Sequence, residues 1–344
     1  MVSTNQFYFG GGEEIDFPQP IPKSRYKIFR IPKKRGRTRL IYAPYGAYKR
    51  WLQNANMVVT VLAMENQPSI NKTLLKESKT WTEYIQEFIN TSSEEDKYKL
   101  LCEAYRDFPV HGFMPGKNPV TAAIPHIGKQ FTLSIDLEDF FDEVEPNRFK
   151  NSLSKFEVPR RIKKKQQTAL FPTKRARQGL PTSPAVSNIA AFPMDEALIA
   201  NLEQDFPGAI TYTRYADDLS FSFDDKEIRN EVKDKVMQLV AGSGWKVNEK
   251  KTRLQWGGPD GTWTRDIVGV GVNHEKVLPL RKARKKFRGL SHRMKFVNPE
   301  EDSKLKSVYK GMSEWTQCKV PKDMGNTYLF ITNLTKQGKQ DDTN

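Results

Sequence analysis

The amino-acid sequence predicts an α+β fold with an antiparallel sheet at its centre. Three observations carry that expectation. Strand-like and helix-like segments interleave along the chain instead of separating into blocks. The stretch ITYTRYADDLSFSF (210–223) reads as a hairpin: Ile210, Tyr212 and Tyr215 favour extended structure, and Leu219, Phe221 and Phe223 alternate with Ser220 and Ser222, the period-2 pattern of a strand with one buried face. In FTLSIDLEDFF (131–141), Phe131, Leu133 and Ile135 face one way along a strand and Thr132, Ser134 and Asp136 the other.

The other elements follow in order. Residues 1–24, with a glycine triplet and several prolines, read as an irregular N-terminal extension. RYKIFRIPKKRGRTRLIYAP (25–44) reads as two short strands around a basic turn at Lys33–Arg37, and YKRWLQNANMVVTVLAM (48–64) has helical spacing. Residues 65–107 are polar and charge-mixed, with a helix around Trp81–Ile89, and read as an insertion packed on one edge. VHGFMPGKNPV (110–120) is a loop punctuated by Gly and Pro; its glycines lie too close together for a P-loop. QGLPTSPAVSNIAAFPMDEAL opens a helix, with Ser183 as N-cap and Pro184 as first helical residue. A helix over Asp225–Val240 comes next, then strands in WKVNEKKTRLQW and RDIVGVGVN, and from Arg281 the chain is helical and basic.

Composition narrows the class. A chain of 344 residues is long enough for two or three packed subdomains. Lys and Arg number 56 against 41 Asp and Glu, a net charge of +15, which points to a polyanionic partner. No run of about twenty apolar residues is present to span a bilayer, so no membrane is expected as partner. The N-terminus lacks the basic start and apolar core of a secretory signal, so a cytoplasmic location is expected. Cys102 and Cys318 are too few for a disulfide framework, and His111, His126, His274 and His292 show no zinc spacing.

Aspartate is a good turn residue, so Asp217 and Asp218 alone fit a plain hairpin as well as any chemistry. Asp136 shifts the balance. At the end of a neighbouring strand it would gather three carboxylates at one sheet edge, where they repel unless a cation lies between them. Hard oxygen ligands fit Mg²⁺ or Mn²⁺, and two such ions would serve nucleotidyl transfer. The further acids Glu138, Asp139, Asp142 and Glu143 read instead as the first turns of a helix, where the dipole favours them.

At these motifs the chain resembles bacterial reverse transcriptases. YTRYADDLSFS is similar to their Y-x-D-D hairpin, SIDLEDFF to the strand bearing the first metal-binding aspartate, and QGLPTSPAVSNIA to the loop-helix between them; HGFMPGK, WKVNEKKTRL and DIVGVGV extend the match over about 25–295. The resemblance implies a right-hand polymerase fold with fingers and palm over 25–272 (65–107 a fingers-side insertion) and a helical thumb and tail over 273–344. It implies Asp136 and Asp217 as metal ligands with Asp218 the third acid, the carbonyl of Leu137 helping to ligate the second ion, and Phe141 blocking a ribose 2′-hydroxyl. Gln178 and Gly179 would line the nucleotide pocket, with Gly179 allowing close approach of the templating base or nucleotide, and Lys33 and Arg39 would grip the triphosphate. Arg281, Lys282, Arg284, Lys285, Lys286 and Arg288 would track the duplex in the thumb.

The implied activity is RNA-directed DNA synthesis, with deoxynucleoside triphosphates, a primer and a DNA product, on a dedicated structured noncoding RNA, in anti-phage defence. An effector protein or second subunit is a further expected partner, and removal of the RNA strand is expected to come from elsewhere. Ala122-Ala123-Ile124-Pro125-His126 and Ile267-Val268-Gly269 depart from the retron pattern, which leaves a retron enzyme and a related defence-associated enzyme both open. Untemplated or protein-primed synthesis, and an RNA-binding scaffold without turnover, are the alternatives.

Overall fold

The structure is a computed structural model that describes residues 17–32, 38–154, 163–296 and 303–319. The two expected N-terminal strands are β1 (Tyr26–Pro32) and β2 (Thr38–Pro44), an antiparallel pair that sets Ile28 opposite Tyr42 and Phe29 opposite Ile41. Lys33 and the rest of the basic turn to Arg37 lie outside the described residues. Ile28, Phe29, Ile31 and Leu40 are exposed on this ribbon, and Tyr42 at its foot is buried.

Helix α1 (Gly46–Glu65) follows from its pattern, with Tyr48, Trp51, Leu52, Ala55, Val58, Val59 and Leu62 forming one buried stripe. Then come α2 (Ile70–Thr73), α3 (Trp81–Asn90, closed by a Thr80–Glu83 capping box) and α4 (Glu94–Asp107, capped by Ser93). This segment is more than a polar packet on an edge, because Trp81, Tyr105 and Phe108 belong to the main core. Lys117 of the HGFMPGK loop ties it down. Its amine donates to the carbonyls of Phe108 (2.9 Å) and Val110 (2.8 Å) and to Gln67 Oε1 (3.2 Å), and lies 4.5 Å from the Trp81 ring centre. Burial holds that amine well below the usual lysine pKa.

After the short α5 (Pro119–Ala123) and a 3₁₀ turn at Ile124–His126, β3 (Phe131–Asp136) enters the central sheet. Helices α6 (Pro146–Ser154), α7 (Lys164–Leu170) and α8 (Ser183–Asp205) precede β4 (Thr211–Tyr215) and β5 (Asp218–Phe223). Helix α9 (Arg229–Gly242) and β6 (Arg253–Trp256) complete an antiparallel sheet of order β4-β5-β3-β6. Its apolar face, Phe131, Leu133, Ile135, Leu219, Phe221 and Phe223, is buried in the core with α8 and with Val232, Val236 and Val240 of α9.

The opposite, polar face is buried too, which corrects the expectation of a strand with one buried face. Ring nitrogens of His126 bond Ser222 Oγ (2.8 Å) and Thr213 Oγ1 (2.7 Å), Thr132 and Ser222 hydroxyls share a bond (2.9 Å), and Arg265 donates to Thr132 Oγ1 (2.8 Å) and the His126 carbonyl (3.1 Å). Small hydroxyl side chains alternate with apolar ones because they face a hydrogen-bonding layer, not water.

A second small sheet holds β7 (Arg265–Ile267), β8 (Val270–Val272) and β9 (Val277–Pro279). Val268 and Gly269, both at positive φ, make the tight β7–β8 turn. The Gln255 side chain joins the sheets by accepting from Asp266 N (2.8 Å) and donating to Asp266 O (2.9 Å). Helices α10 (Arg281–Met294) and α11 (Ser303–Thr316) pack together through Phe287 and Tyr309, ring centres 5.5 Å apart.

Three local expectations are corrected. Residues 138–143 are successive turns, not helix, and α6 begins only at Pro146. Asp139 takes φ +46, Asp142 pairs with Arg177, and Glu143 pairs with Lys246, so side-chain partners outside the segment replace the helix dipole. At α8 the cap position falls on Thr182, which makes no side-chain cap; Ser183 Oγ instead accepts from Arg177 N (3.0 Å) and fastens the preceding loop. In WKVNEKKTRLQW only 253–256 is strand, because Val247 makes a single bridge to Leu137 before the chain turns at Asn248–Lys251.

Candidate active site

The three aspartates meet at one end of the central sheet. Asp136 closes β3 and lies directly opposite Asp218, the first residue of β5. Both belong to the polar face, and there the face opens, since Asp218 and Ser134 are only partly buried. Asp217 occupies the second position of the two-residue turn joining β4 to β5, after Ala216 at φ +56. Leu137 is buried, and its N–H donates to the Asp217 carbonyl (2.8 Å), which binds the strand end to the turn.

Electrostatics at this edge follow from burial and like charge. Asp217 is pushed above the usual carboxylate range chiefly by burial, with Asp136 adding repulsion. Asp218 is pushed up to about 7 by burial first, then by Asp217 and Asp136. Lys251 opposes both shifts. Its Nζ is 2.6 Å from Asp136 Oδ2, and Asn248 Nδ2 donates to Asp136 Oδ1 (3.1 Å). Arg39 of β2 also lowers Asp217, so the exposed ribbon lies within electrostatic reach of the turn.

Among the described residues, no three His, Cys, Asp or Glu side chains cluster closely enough to hold a metal ion by themselves. The donors fit a cation that completes its shell elsewhere. Mg²⁺ retains waters and takes phosphate oxygens, so it asks for one or two carboxylates and not a closed cage. Carboxylates crowded at one buried sheet end are a place where such an ion relieves repulsion.

The other expected residues fall as follows. Phe141 is half-buried, its ring centre 5.9 Å from that of Phe113 and 5.6 Å from that of Phe140, whereas Phe140 itself is core. The Gln178 carbonyl accepts from Tyr42 N (2.8 Å). Gly179 sits at φ +99, and a Cβ there would lie 2.6 Å from the Tyr42 carbonyl oxygen and 2.8 Å from an Ile41 methyl. The close backbone approach that Gly179 permits here is to β2, and it clamps the loop to the ribbon carrying Arg39. In α10, Arg281, Arg284 and Arg288 line a cavity of about 490 Å³ with Pro279, Phe287 and Thr316, while Lys282, Lys285 and Lys286 are exposed.

A sequence profile described as "Reverse transcriptase (RNA-dependent DNA polymerase)" matches residues 31–277. The chain belongs to the reverse transcriptase family. It is 32% identical over 200 residues to the retron Mx65 reverse transcriptase of Myxococcus xanthus, a match covering 53% of this chain and 45% of that protein. It is 28% identical over 270 residues to the retron Mx162 reverse transcriptase of the same organism, covering 69% and 54%. The matched regions therefore span about half the length of these relatives. Among solved structures, apo telomerase from Candida tropicalis, truncated from its C-terminal domain, aligns over 74% of this chain and 55% of that one, with 16% identity and a TM-score of 0.40. The family match bears out the right-hand polymerase fold, and no helix among the described residues is long and apolar enough to cross a membrane.

Sequence reasoning missed several residues of this candidate site. Lys251 and Asn248, on Asp136, were expected only as part of a strand. Arg214 sits fully buried behind the aspartate turn and is paired with Asp195 of α8.

Proposed function

We propose that the protein is an RNA-directed DNA polymerase that uses Asp136, Asp217 and Asp218 for nucleotidyl transfer. The observation that carries this is the placement of the three carboxylates at one sheet end, with Asp218 raised to about 7 by burial and then by Asp217 and Asp136, in a chain of this family. Asp136 and Asp217 are the main ligands and Asp218 the third acid, with the Leu137 carbonyl beside them. Two divalent ions held there, Mg²⁺ or Mn²⁺, would activate the attacking hydroxyl and stabilise the leaving oxygen.

The remaining residues act on the substrates. Arg39, with Lys33, attracts the triphosphate of a deoxynucleotide. Phe141 packs against the sugar and leaves no space for a 2′-hydroxyl. Gln178 and Gly179 line the pocket while bracing β2. The basic face of α10 contacts duplex phosphates, which makes binding sequence-independent and salt-sensitive. The retron relatives support a structured noncoding RNA as template. A role in anti-phage defence rests on the motif resemblance and would be read by phage challenge of cells carrying the wild type or D217N.

The test is to isolate the protein from cells and sequence every nucleic acid bound to it. A defined DNA complementary to one structured RNA is the expected result. Repetitive DNA matching no template would favour untemplated synthesis, and RNA without DNA would favour a scaffold; either would overturn the proposal.

A further inference from the structure

We propose that Arg214 is a positioning residue that holds the Ala216-Asp217 turn from behind; this rests on reading that turn as catalytic. Arg214 lies opposite Leu219 in the β4–β5 register, so it belongs to the apolar face of the sheet, away from Asp136 and Asp218. An arginine there is unexpected. It is fully buried, as is its partner Asp195.

All three guanidinium nitrogens donate. Nε donates to Asp195 Oδ1 (2.8 Å) and Nη2 to Asp195 Oδ2 (2.7 Å), a bidentate pair, and Tyr212 Oη also donates to Oδ1 (2.6 Å). That leaves Nη1, which donates to Asn188 Oδ1 (3.0 Å) and to the carbonyl of Ala216 (3.2 Å). Asn188 passes the contact on, donating from Nδ2 to the Gly112 carbonyl (2.7 Å). Gly112 lies so close to the turn that a Cβ on it would sit 2.2 Å from Ala216 N. Main-chain bonds from Arg214 N to Pro109 O and from His111 N to Arg214 O (both 2.8 Å) complete the clamp.

The turn needs such a clamp. Ala216 sits at φ +56 in the first position of a two-residue hairpin turn, where glycine or asparagine is the unstrained choice. A left-handed alanine persists only where its surroundings impose the conformation. Apolar side chains could fill the same space and are often as stabilising as a buried ion pair. They could not hold the Ala216 carbonyl, and with it the direction in which the chain presents Asp217. Lysine could not replace the planar fork that reaches Asp195, Asn188 and Ala216 together.

The test uses the full chain with Asn188→Ala, which leaves the Arg214–Asp195 pair intact, beside Arg214→Lys. DNA synthesis on a primed RNA is measured as kcat, KM for deoxynucleotide and the Mg²⁺ concentration giving half-maximal rate, with thermal midpoint and RNA affinity alongside. The expected result for N188A is a kcat lower by about tenfold or more, a raised Mg²⁺ requirement, and unchanged nucleotide KM and RNA affinity. R214K should move the same way and further. Adding Ala216→Gly, which takes a left-handed φ without help, should recover kcat and Mg²⁺ dependence in N188A without recovering the thermal midpoint. Wild-type kcat and Mg²⁺ dependence in N188A, or no recovery by A216G, would overturn the positioning role. Full activity in D217N would instead overturn the catalytic reading on which it rests, so the two failures are told apart.

Discussion

The ammonium of Lys251 stands 2.6 Å from Oδ2 of Asp136, on the carboxylate that Asn248 Nδ2 also contacts. A cation of the chain therefore already lies where the sheet end concentrates negative charge. Lys251 is 61% exposed, so the pair adds little to stability, and its effect is on what else binds there.

Replacing it with glutamine removes the competing charge. Mg²⁺ binding to K251Q, followed by calorimetric titration, should tighten by about thirtyfold, the effect of removing one unit charge about 4 Å from a divalent ion in water-like surroundings. Unchanged or weaker binding would show that Lys251 does not compete for this carboxylate.

Protons should compete with metal at Asp218. Its carboxyl is raised to about 7, so below that pH a ligand must lose a proton before it can bind a cation, and above it the carboxylate is free. The Mg²⁺ concentration for half-maximal synthesis should climb as pH falls from 8 to 6, and whatever metal binding D218N retains should lack this dependence.

His126 makes a separate prediction about stability. Burial, with Arg265 and Lys129, lowers its pKa to about 3, below the ordinary histidine value of about 6.5. The unfolded chain binds the proton more tightly, so this contribution is complete above about 6.5 and is lost as pH falls towards 3. Between pH 7 and 5 the wild type should lose about 2 kcal/mol relative to H126Q in urea unfolding. Equal losses would mean the ring is not held neutral.

Gly179→Ala should destabilise by about 1–3 kcal/mol, because the new methyl meets the Tyr42 carbonyl and the backbone is left-handed. Thermal denaturation reads the effect. Nucleotide KM should rise as well if the loop braces the Arg39 ribbon.

The aspartates were legible because their signal is local: each sits at the end of a strand with clear alternation, in motif order. The network behind them was not, since Arg214, Asn188, Asp195 and Gly112 come from three segments, β4, α8 and the loop before α5. A trace of it was present. Asn188 and Asp195 are seven residues apart, on one face of α8, and Arg214 shares strand parity with Tyr212. The same limit explains the acids at 138–143. A dipole argument sees only neighbours in sequence, whereas Arg177 and Lys246 arrive from elsewhere in the chain. Hydroxyl alternation in β3 and β5 likewise signals polarity but cannot say whether water or His126 faces it.

The central claim is tested most directly by extension of a DNA primer on an RNA template with wild type and D217N. The expected result is complementary DNA from the wild type, a loss on the order of 10³-fold in D217N, and equal RNA binding by both. Synthesis by D217N at the wild-type rate would contradict it.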